Sequence, residues 1–392
     1  CGEKMNVPKL RFKEFNDEWA TVELSKISSD ISYGMGLASK EYDGVNKYIR
    51  ITDIDETTNK YSNKDIVSPD GELEDKYIVK QNDILFARTG ASTGKTYLYD
   101  DNDGKLYFAG FLIRANIINH NANFIFQQTK TSKYNKWVRI MSMRSGQPGI
   151  NSQEYGAYKF SITSLNEENK IANTLELLDK KIELQTNKIE ALKLFKKGLF
   201  TNLKFNNMSL ITFKDILDEV NEKSIVNNQY EILSSTAHGL FLQKEYFNKQ
   251  AASDNNIGYK ILRKNQLVLS PQNLWMGNIN INNKYNIGIV SPSYKIFKIN
   301  ENIINIDYFN NWIKSPRALY EYIISSEQGA SIVRRNLNMD LFNEITLKIP
   351  NMQTQKKIGK QINNINNLIE LENSKLGKLK KLKKGLMQSM FV

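Results

Sequence analysis

The sequence predicts a mixed α/β (α+β) protein with two globular domains, each followed by a long helix. We expect the two helices to pair as an antiparallel coiled coil with pseudo-two-fold internal symmetry. Three observations support this fold class. A helical segment recurs at an offset of 187 residues, both copies have heptad spacing, and strand-like strings recur at offsets of 182 and 183.

The internal repeat divides the chain of 392 residues, a length that accommodates two or three domains. We expect a first globular domain at 1–165, a central long helix at 166–205, a second globular domain at 206–351 and a C-terminal long helix at 352–392. Each half is therefore predicted to be one folded globule joined to one helix.

The predicted strands are apolar runs bounded by Asn and Gly, which is typical of short buried strands. Tyr48–Thr52 in the first half aligns with Tyr230–Ser234 in the second, and Asn82–Phe86 aligns with Asn265–Leu269. Because these strings keep their order and spacing, both domains are predicted to have the same framework.

The long helices are predicted from apolar residues at alternating spacings of four and three, the signature of helices that pack side by side. The predicted pairing residues are Ile171, Leu175, Leu178, Ile182, Ile189 and Leu192 in the first helix, and Ile358, Ile362, Ile365, Ile369, Leu376 and Leu379 in the second. Polar residues interrupt both seams at equivalent places, Gln185 with Glu372 and Lys196 with Lys383.

The formal net charge is +12, which suggests an acidic partner and first of all nucleic acid. The predicted globular domains are nearly neutral, at +1 and +2, and the C-terminal helix carries +7. A lysine-rich helix end is explained by solvation, by the helix dipole or by a partner contact. Antiparallel pairing would also place Glu167 and Glu168 near Lys383 and Lys384.

Composition and motifs give no positive case for catalysis, and we predict no metal site and no bound cofactor. One Cys, at position 1, and two His exclude zinc ribbons and a disulfide framework. Gly90–Thr96 resembles a phosphate-binding loop but has three residues between its glycines where that motif needs four. Ser291–Tyr294 resembles the tetrapeptide of amino-methyltransferases but lacks the second Pro, and His120 and His238 are isolated.

Two loops of the first half have residues suited to DNA. Phe86–Lys95 follows a predicted strand and is rich in Gly and hydroxyl groups, and its Arg88 can pair bidentately with guanine. A second loop spans 144–151. The predicted DNA-binding residues of the first half are Arg88, Thr89, Ser92, Lys95, Arg144, Gln147 and Asn151.

The equivalent loops of the second half span 270–278 and 327–334, and Arg335, Asn336 and Asn338 extend the second of them. Gln272 and Asn273 occupy the places of Thr89 and Gly90, and amide side chains suit adenine. The predicted DNA-binding residues here are Gln272, Asn273, Trp275, Asn278, Arg334, Arg335 and Asn336. A shared scaffold with different loop tips is expected of two related modules that read different sequences. The alternative is that these are divergent surface loops of a duplicated fold.

The ordered pair of halves resembles the specificity subunit of type I restriction-modification systems. The resembling strings are Lys47–Ile54, Asp83–Gly90, Glu167–Ala172, Tyr230–Phe241, Leu267–Asn273, Ile349–Pro350 and Gln355–Ile358. The chain departs from the family before each long helix, where the family often has a Pro and a Glu-Gln pair. Here the chain has Ser164 and Glu168-Asn169 in the first half, and Thr354-Gln355 in the second.

The resemblance implies a subunit without catalytic activity of its own, whose two target-recognition domains each read half of a split, asymmetric site in double-stranded DNA. It further implies two modification (methyltransferase) subunits and additional restriction (endonuclease and translocase) subunits as partners. S-adenosylmethionine, ATP and Mg²⁺ are then expected on those partners, in a cytoplasmic, bacterial complex without a membrane role. The alternatives are a structural coiled-coil adaptor and a stand-alone DNA-modifying enzyme.

Overall fold

A computed structural model describes residues 7–143, 148–201, 208–246, 255–331 and 334–392. The chain forms two compact units, unit 1 at 1–186 with 374–392 and unit 2 at 187–373. Each unit contains one globular domain and a piece of both long helices. None of the helices in these described ranges is long and apolar enough to cross a membrane.

Unit 1 has ten strands and three short helices in its described globular part. The strands are β1 Ala20–Glu23, β2 Ser28–Tyr33, β3 Ala38–Glu41, β4 Lys47–Ile49, β5 Val67–Asp70, β6 Asp83–Ala87, β7 Thr96–Leu98, β8 Leu106–Phe108, β9 Leu112–Ile117 and β10 Lys159–Ile162. The helices are α1 Ala122–Gln128, α2 Ser132–Ser142 and α3 Ser152–Gly156, and the first long helix, α4 Leu165–Thr201, follows them.

Unit 2 repeats this order with some additional elements. Its strands are β11 Ser209–Thr212, β12 Leu217–Val220, β13 Leu233–Thr236, β14 Gly239–Leu242, β15 Lys260–Arg263, β16 Leu267–Leu269, β17 Ile279–Ile281, β18 Ile287–Val290, β19 Lys295–Ile299, β20 Ser326–Ser331, β21 Arg334–Leu337 and β22 Thr346–Ile349. Its short helices are α5 Phe213–Ile216, α6 Gln243–Tyr246, α7 Ile306–Trp312, α8 Pro316–Ile324 and α9 Met339–Asn343, and the second long helix is α10 Met352–Met390.

The two globular domains share their sheet topology. A four-stranded antiparallel sheet has the order β2-β9-β6-β7 in unit 1 and β12-β19-β16-β17 in unit 2. The first and last strands of each domain also pair, β1 with β10 and β11 with β22. The left-handed turns that lead into β6 and β16 use Asn82 and Asn265, whose φ angles are 69° and 64°. The predicted mixed α/β duplication is therefore confirmed.

Within unit 1, the two long-helix pieces run antiparallel. Lys383 near the end of α10 forms an ion pair with Asp179 of α4. Leu386 and Met390 lie further toward the C-terminus of α10. They belong to the same buried cluster as Leu175 and Ile171, which lie nearer the start of α4. Moving toward the C-terminus of α10 therefore means moving toward the N-terminus of α4, so the two helices are antiparallel here.

Within unit 2, the pieces of the two helices also run antiparallel. Lys188 of α4 forms an ion pair with the buried carboxylate of Glu372 on α10. Leu199 of α4 packs against the cluster that includes Ile358 and Ile362 near the start of α10. The predicted antiparallel coiled coil is confirmed, and every predicted pairing residue is buried or half-buried.

The predicted position of Glu167 and Glu168 near Lys383 and Lys384 is wrong. Both carboxylates are buried against unit 1's own globular domain and N-terminal segment. Glu167 accepts two hydrogen bonds from the Arg11 guanidinium, each of 2.8 Å. Glu168 accepts a hydrogen bond of 2.9 Å from the backbone N–H of Asn121.

Candidate nucleic-acid interface

The two loops that the sequence singled out in unit 1 lie against each other. Thr89 and Gly149 form an isolated antiparallel bridge. The N–H of Gly90 donates to Pro148 O at 2.9 Å, and the N–H of Ile150 donates to Arg88 O at 2.9 Å. Residues 86–95 and 148–151 thus form one surface, which we call the unit 1 loop cluster.

Arg88 is the best-positioned cation of the unit 1 loop cluster. Its guanidinium carbon lies 4.9 Å from the ring centroid of Tyr33, at the end of β2. The Tyr33 hydroxyl is itself fixed, since it accepts a hydrogen bond of 3.1 Å from the Ser152 N–H. Within the described residues, the buried Nε of Arg88 has no hydrogen-bond partner. A guanidinium stacked on a ring keeps its planar donor fork available for bidentate pairing.

The remaining predicted residues of unit 1 differ in how available they are. Thr89 and Ser92 are half-buried at the turn that begins at Gly90. The Nζ of Lys95 forms an ion pair of 2.8 Å with Glu56. The Asn151 side chain accepts from the Glu154 N–H at 2.9 Å and so caps α3. Arg144 and Gln147 lie outside the described residues.

The two predicted loops of unit 2 also meet. The Arg335 N–H donates to Gln272 O at 3.4 Å. The Arg335 guanidinium lies 4.9 Å from the ring centroid of Trp275, whose buried Nε1 has no hydrogen-bond partner among the described residues. Residues 270–278 and 335–336 form the unit 2 loop cluster. Like the unit 1 loop cluster, it combines an arginine with an aromatic ring. The arginine and the ring of unit 2 lie at other places in the fold than Arg88 and Tyr33 do in unit 1.

Other predicted residues of unit 2 are exposed, half-buried or buried. Gln272 and Asn336 are exposed, whereas Asn273 is half-buried and its Nδ2 lies 3.4 Å from Ser270 Oγ. Asn278 is only 7% exposed. Its amide bonds to Ser235 and therefore holds the domain together instead of facing the surface. The side chain of Arg334 lies outside the described part of the structure.

Sequence reasoning missed two residues at these clusters, Tyr33 and Lys314. Tyr33 is half exposed at a strand end, and nothing in its local sequence indicates that Arg88 lies above it. Lys314, between α7 and α8, donates to Gly277 O at 3.1 Å. Both contacts join residues far apart in the chain, so no local motif could have predicted them.

The fold defines a class of protein: a duplicated, two-module protein in which each module is followed by a long helix. The scaffold is the same in both modules, and the residues displayed at the loop tips differ. This is the arrangement expected when one scaffold is used for two different recognition tasks.

Comparison with known proteins finds a family model that matches the first half of the chain. Residues 16–194 match the family model of the type I restriction modification DNA specificity domain. The match includes the first globular domain and most of α4.

A search of solved structures finds matches that cover nearly the whole chain. The S subunit of a type I restriction-modification system from M. genitalium is 16% identical, with a TM-score of 0.61 over 98% of this chain and 99% of that one. A structure described as the assembly and conformational transition of the type I R-M system is 12% identical, with a TM-score of 0.49 over 95% and 97%. The HsdS subunit from Thermoanaerobacter tengcongensis is 14% identical, with a TM-score of 0.41 over 95% and 96%.

Proposed function

We propose that this chain is the DNA-specificity subunit of a type I restriction-modification complex. Each globular domain reads one half of a bipartite, asymmetric site in double-stranded DNA. The chain itself neither methylates nor cleaves DNA and holds no cofactor. Modification and restriction subunits bring S-adenosylmethionine, ATP and Mg²⁺, and the complex works in the bacterial cytoplasm.

One observation carries this proposal: the same sheet order presents different arginine–aromatic pairs in the two units. Arg88 lies over Tyr33 in unit 1, and Arg335 lies over Trp275 in unit 2. Hydrogen bonds to base edges specify sequence, whereas contacts to phosphates mainly position a protein on DNA. Two modules that hold a guanidinium on different loops, over different aromatic rings, are therefore suited to two different half-sites.

Exchange of residues 1–165 for the equivalent domain of another family member tests the proposal. We expect the methylated sequence to change in one half only, because each domain has its own sheet and its own loop cluster. Sequencing of methylated adenines in cells that carry the hybrid measures this. A change in both halves contradicts independent modules, and salt-insensitive DNA binding by the assembled complex favours a structural adaptor instead.

The docking surface for a modification subunit is proposed from exposed apolar residues on the long helices. In unit 1, Leu177 and Leu184 are 61% and 68% exposed, and Leu382 of α10 is also exposed. Leu177, Leu184 and Leu382 each immediately precede a seam residue, and seam residues alternate between two positions of the heptad. At 3.6 residues per turn, the positions that precede the two kinds of seam residue are about 60° apart around the helix axis.

The globular domain of unit 1 covers the other side of α4. Its Asn123 and Lys60 contact Glu176 and Glu183, which each follow a seam residue by one position. These contacts leave the side that carries Leu177 and Leu184 open to solvent.

Unit 2 has the same division between its covered and open sides. Its domain contacts α10 through Asn311, which bonds to Asn363 and Asn366. The opposite side carries exposed apolar residues at equivalent seam offsets: Phe195, Leu368 and Leu371. A large exposed apolar patch marks a protein interface, and we propose the apolar face of a modification-subunit helix as its occupant.

Charged substitutions on this side are expected to weaken assembly. Leu184→Glu and Leu371→Glu should each reduce the affinity for the modification subunit roughly tenfold or more, since a buried Leu contributes about 1.5–3 kcal/mol. Leu194→Glu is the matched control, because Leu194 is 71% exposed and does not immediately precede a seam residue. Titration of each variant with the modification subunit measures the affinity, and equal losses in all three variants would contradict a defined docking side.

A further inference from the structure

The tip of the β13–β14 hairpin, Thr236–Gly239, lies beside the unit 2 loop cluster. Ala237 and His238 are exposed at this tip, and His238 is one of only two histidines in the chain. The hairpin was not among the predicted DNA-binding elements. Two sets of contacts nevertheless fasten it to the loop that carries Trp275, and a comparison with unit 1 gives a third observation.

The first set is a buried amide network beneath the tip. Asn278 accepts from the Ser235 hydroxyl at 2.7 Å and donates to Ser235 O at 3.0 Å. Asn280 donates to Ser235 Oγ at 2.7 Å and to Thr236 O at 2.9 Å. Buried polar groups are costly unless they are hydrogen-bonded, and a satisfied network specifies one arrangement of the segments that it joins.

The second contact is made by Lys314. Its Nζ donates to Ala237 O at 3.3 Å and to Gly277 O at 3.1 Å, so one ammonium group joins the hairpin tip to the end of the recognition loop. Desolvation lowers the pKa of Lys314 to about 8. Gly277 has a φ of +85°, and this left-handed conformation aims its carbonyl as the contact requires.

The third observation is that unit 1 also holds a turn beside its loop cluster, with different residues. Its turn at 55–59 occupies the place of the hairpin tip, and Glu56 forms an ion pair of 2.8 Å with Lys95 at the end of the loop. The Asn59 side chain donates to Thr96 O at 2.9 Å. The two units thus keep a turn fixed beside the loop cluster although the fastening residues have changed.

We propose that Thr236–Gly239 is a further recognition element of the second domain, with His238 as a specificity-determining residue and Lys314 as its positioning residue. The His238 ring N–H donates to an acceptor at a base edge of double-stranded DNA, such as guanine N7 or O6. This inference rests on the proposed DNA-recognition function. It adds a third element to the two loops of the unit 2 loop cluster.

The test uses the full chain assembled with its modification subunits and duplexes that carry its mapped site. Each base pair of both half-sites is replaced in turn, and binding of His238→Ala, Lys314→Met, Lys314→Arg and the wild type is compared. Lys298→Ala is the control, because Lys298 is exposed on β19 of the same domain. We expect His238→Ala to lose discrimination at one base pair of the second half-site roughly tenfold, the size of one good base contact.

Lys314→Met should lose discrimination at the same base pair, and Lys314→Arg should restore most of it by donating to the same carbonyls. Unchanged discrimination at the other base pairs of the second half-site shows in each variant that the second domain is folded. A uniform loss over all sequences would overturn base reading by His238, as would discrimination equal to that of the wild type. If the wild-type complex itself shows no sequence preference, the proposed function fails and this inference fails with it.

Discussion

Glu168→Gln and Gln355→Glu are both expected to destabilise the protein, although each change introduces the residue that the other unit uses. The two positions correspond at the offset of 187, and both side chains are buried at the start of a long helix. Each also accepts a hydrogen bond from the backbone N–H of an asparagine that caps a short helix, Asn121 of α1 and Asn305 of α7.

The other partners of these two side chains are opposite in character. The Glu168 carboxylate accepts hydrogen bonds from all of its partners. Its Oε1 lies 3.3 Å from the backbone N of Thr163 and 2.8 Å from the His120 ring Nδ1. Gln355 instead donates to two carbonyls, Pro350 O at 2.9 Å and Ile303 O at 3.3 Å. A carboxylate fits the first environment, and only an amide fits the second.

Gln355→Glu should cost about 3–5 kcal/mol at pH 7, the usual penalty of an uncompensated buried charge. Glu168→Gln should cost about 1–3 kcal/mol, because one buried donor loses its acceptor. The cost of Gln355→Glu should shrink as the pH falls from 7 to 4. Carbonyl neighbours and burial raise the pKa of the introduced carboxyl in the folded state, and the protonated form can donate to a carbonyl.

Urea unfolding at several pH values measures both effects. Glu370→Gln is the control, because Glu370 is exposed on α10 and should change the unfolding free energy by less than about 0.5 kcal/mol. An unchanged unfolding free energy for Gln355→Glu would show that the carbonyl environment does not select the amide.

This pair of positions also shows what the sequence could predict. The departure from the family before each long helix was visible, but its meaning was not, because the partners of Glu168 and Gln355 lie about fifty residues away in the chain. By contrast, the helix seam was predictable from local spacing alone. Burial repeats with a fixed period along a helix pair, so Leu175 is buried while Leu177 is exposed.

The candidate site was predictable in its loops and not in its individual contacts. The strand–loop strings correctly indicated that 86–95 and 270–278 follow central strands of the two sheets. A polar residue in such a loop can face solvent or turn inward, and the choice depends on tertiary neighbours. Asn278 turns inward to Ser235, whereas Gln272 in the same loop is exposed. The assignment of base contacts therefore stays a prediction.

Arg88→Ala is expected to produce the largest loss of sequence reading in the first half-site. A bidentate arginine–guanine pair contributes about 1–3 kcal/mol of discrimination, which corresponds to roughly a 5- to 150-fold change in relative affinity at one base pair. Arg88→Lys should not restore it, because an ammonium group has no planar fork of donors. The second half-site should be read normally by both variants.

Substitutions of Tyr33 distinguish base reading by Arg88 from a simple effect of its charge. Tyr33→Leu removes the ring under the guanidinium and should weaken discrimination at the same base pair, while Arg88 keeps its charge. Tyr33→Phe keeps the ring and loses only the hydrogen bond from Ser152, so it should resemble the wild type more closely.

Competition binding with duplexes altered at each position of the first half-site measures all four variants. If Arg88→Ala instead weakens binding equally for every sequence, and the slope of log affinity against log salt concentration falls by about one, Arg88 contacts a phosphate. Base reading in unit 1 would then be assigned to the other residues of its loop cluster. It would leave the two-module architecture intact, because that architecture depends on the repeated sheets and the paired helices.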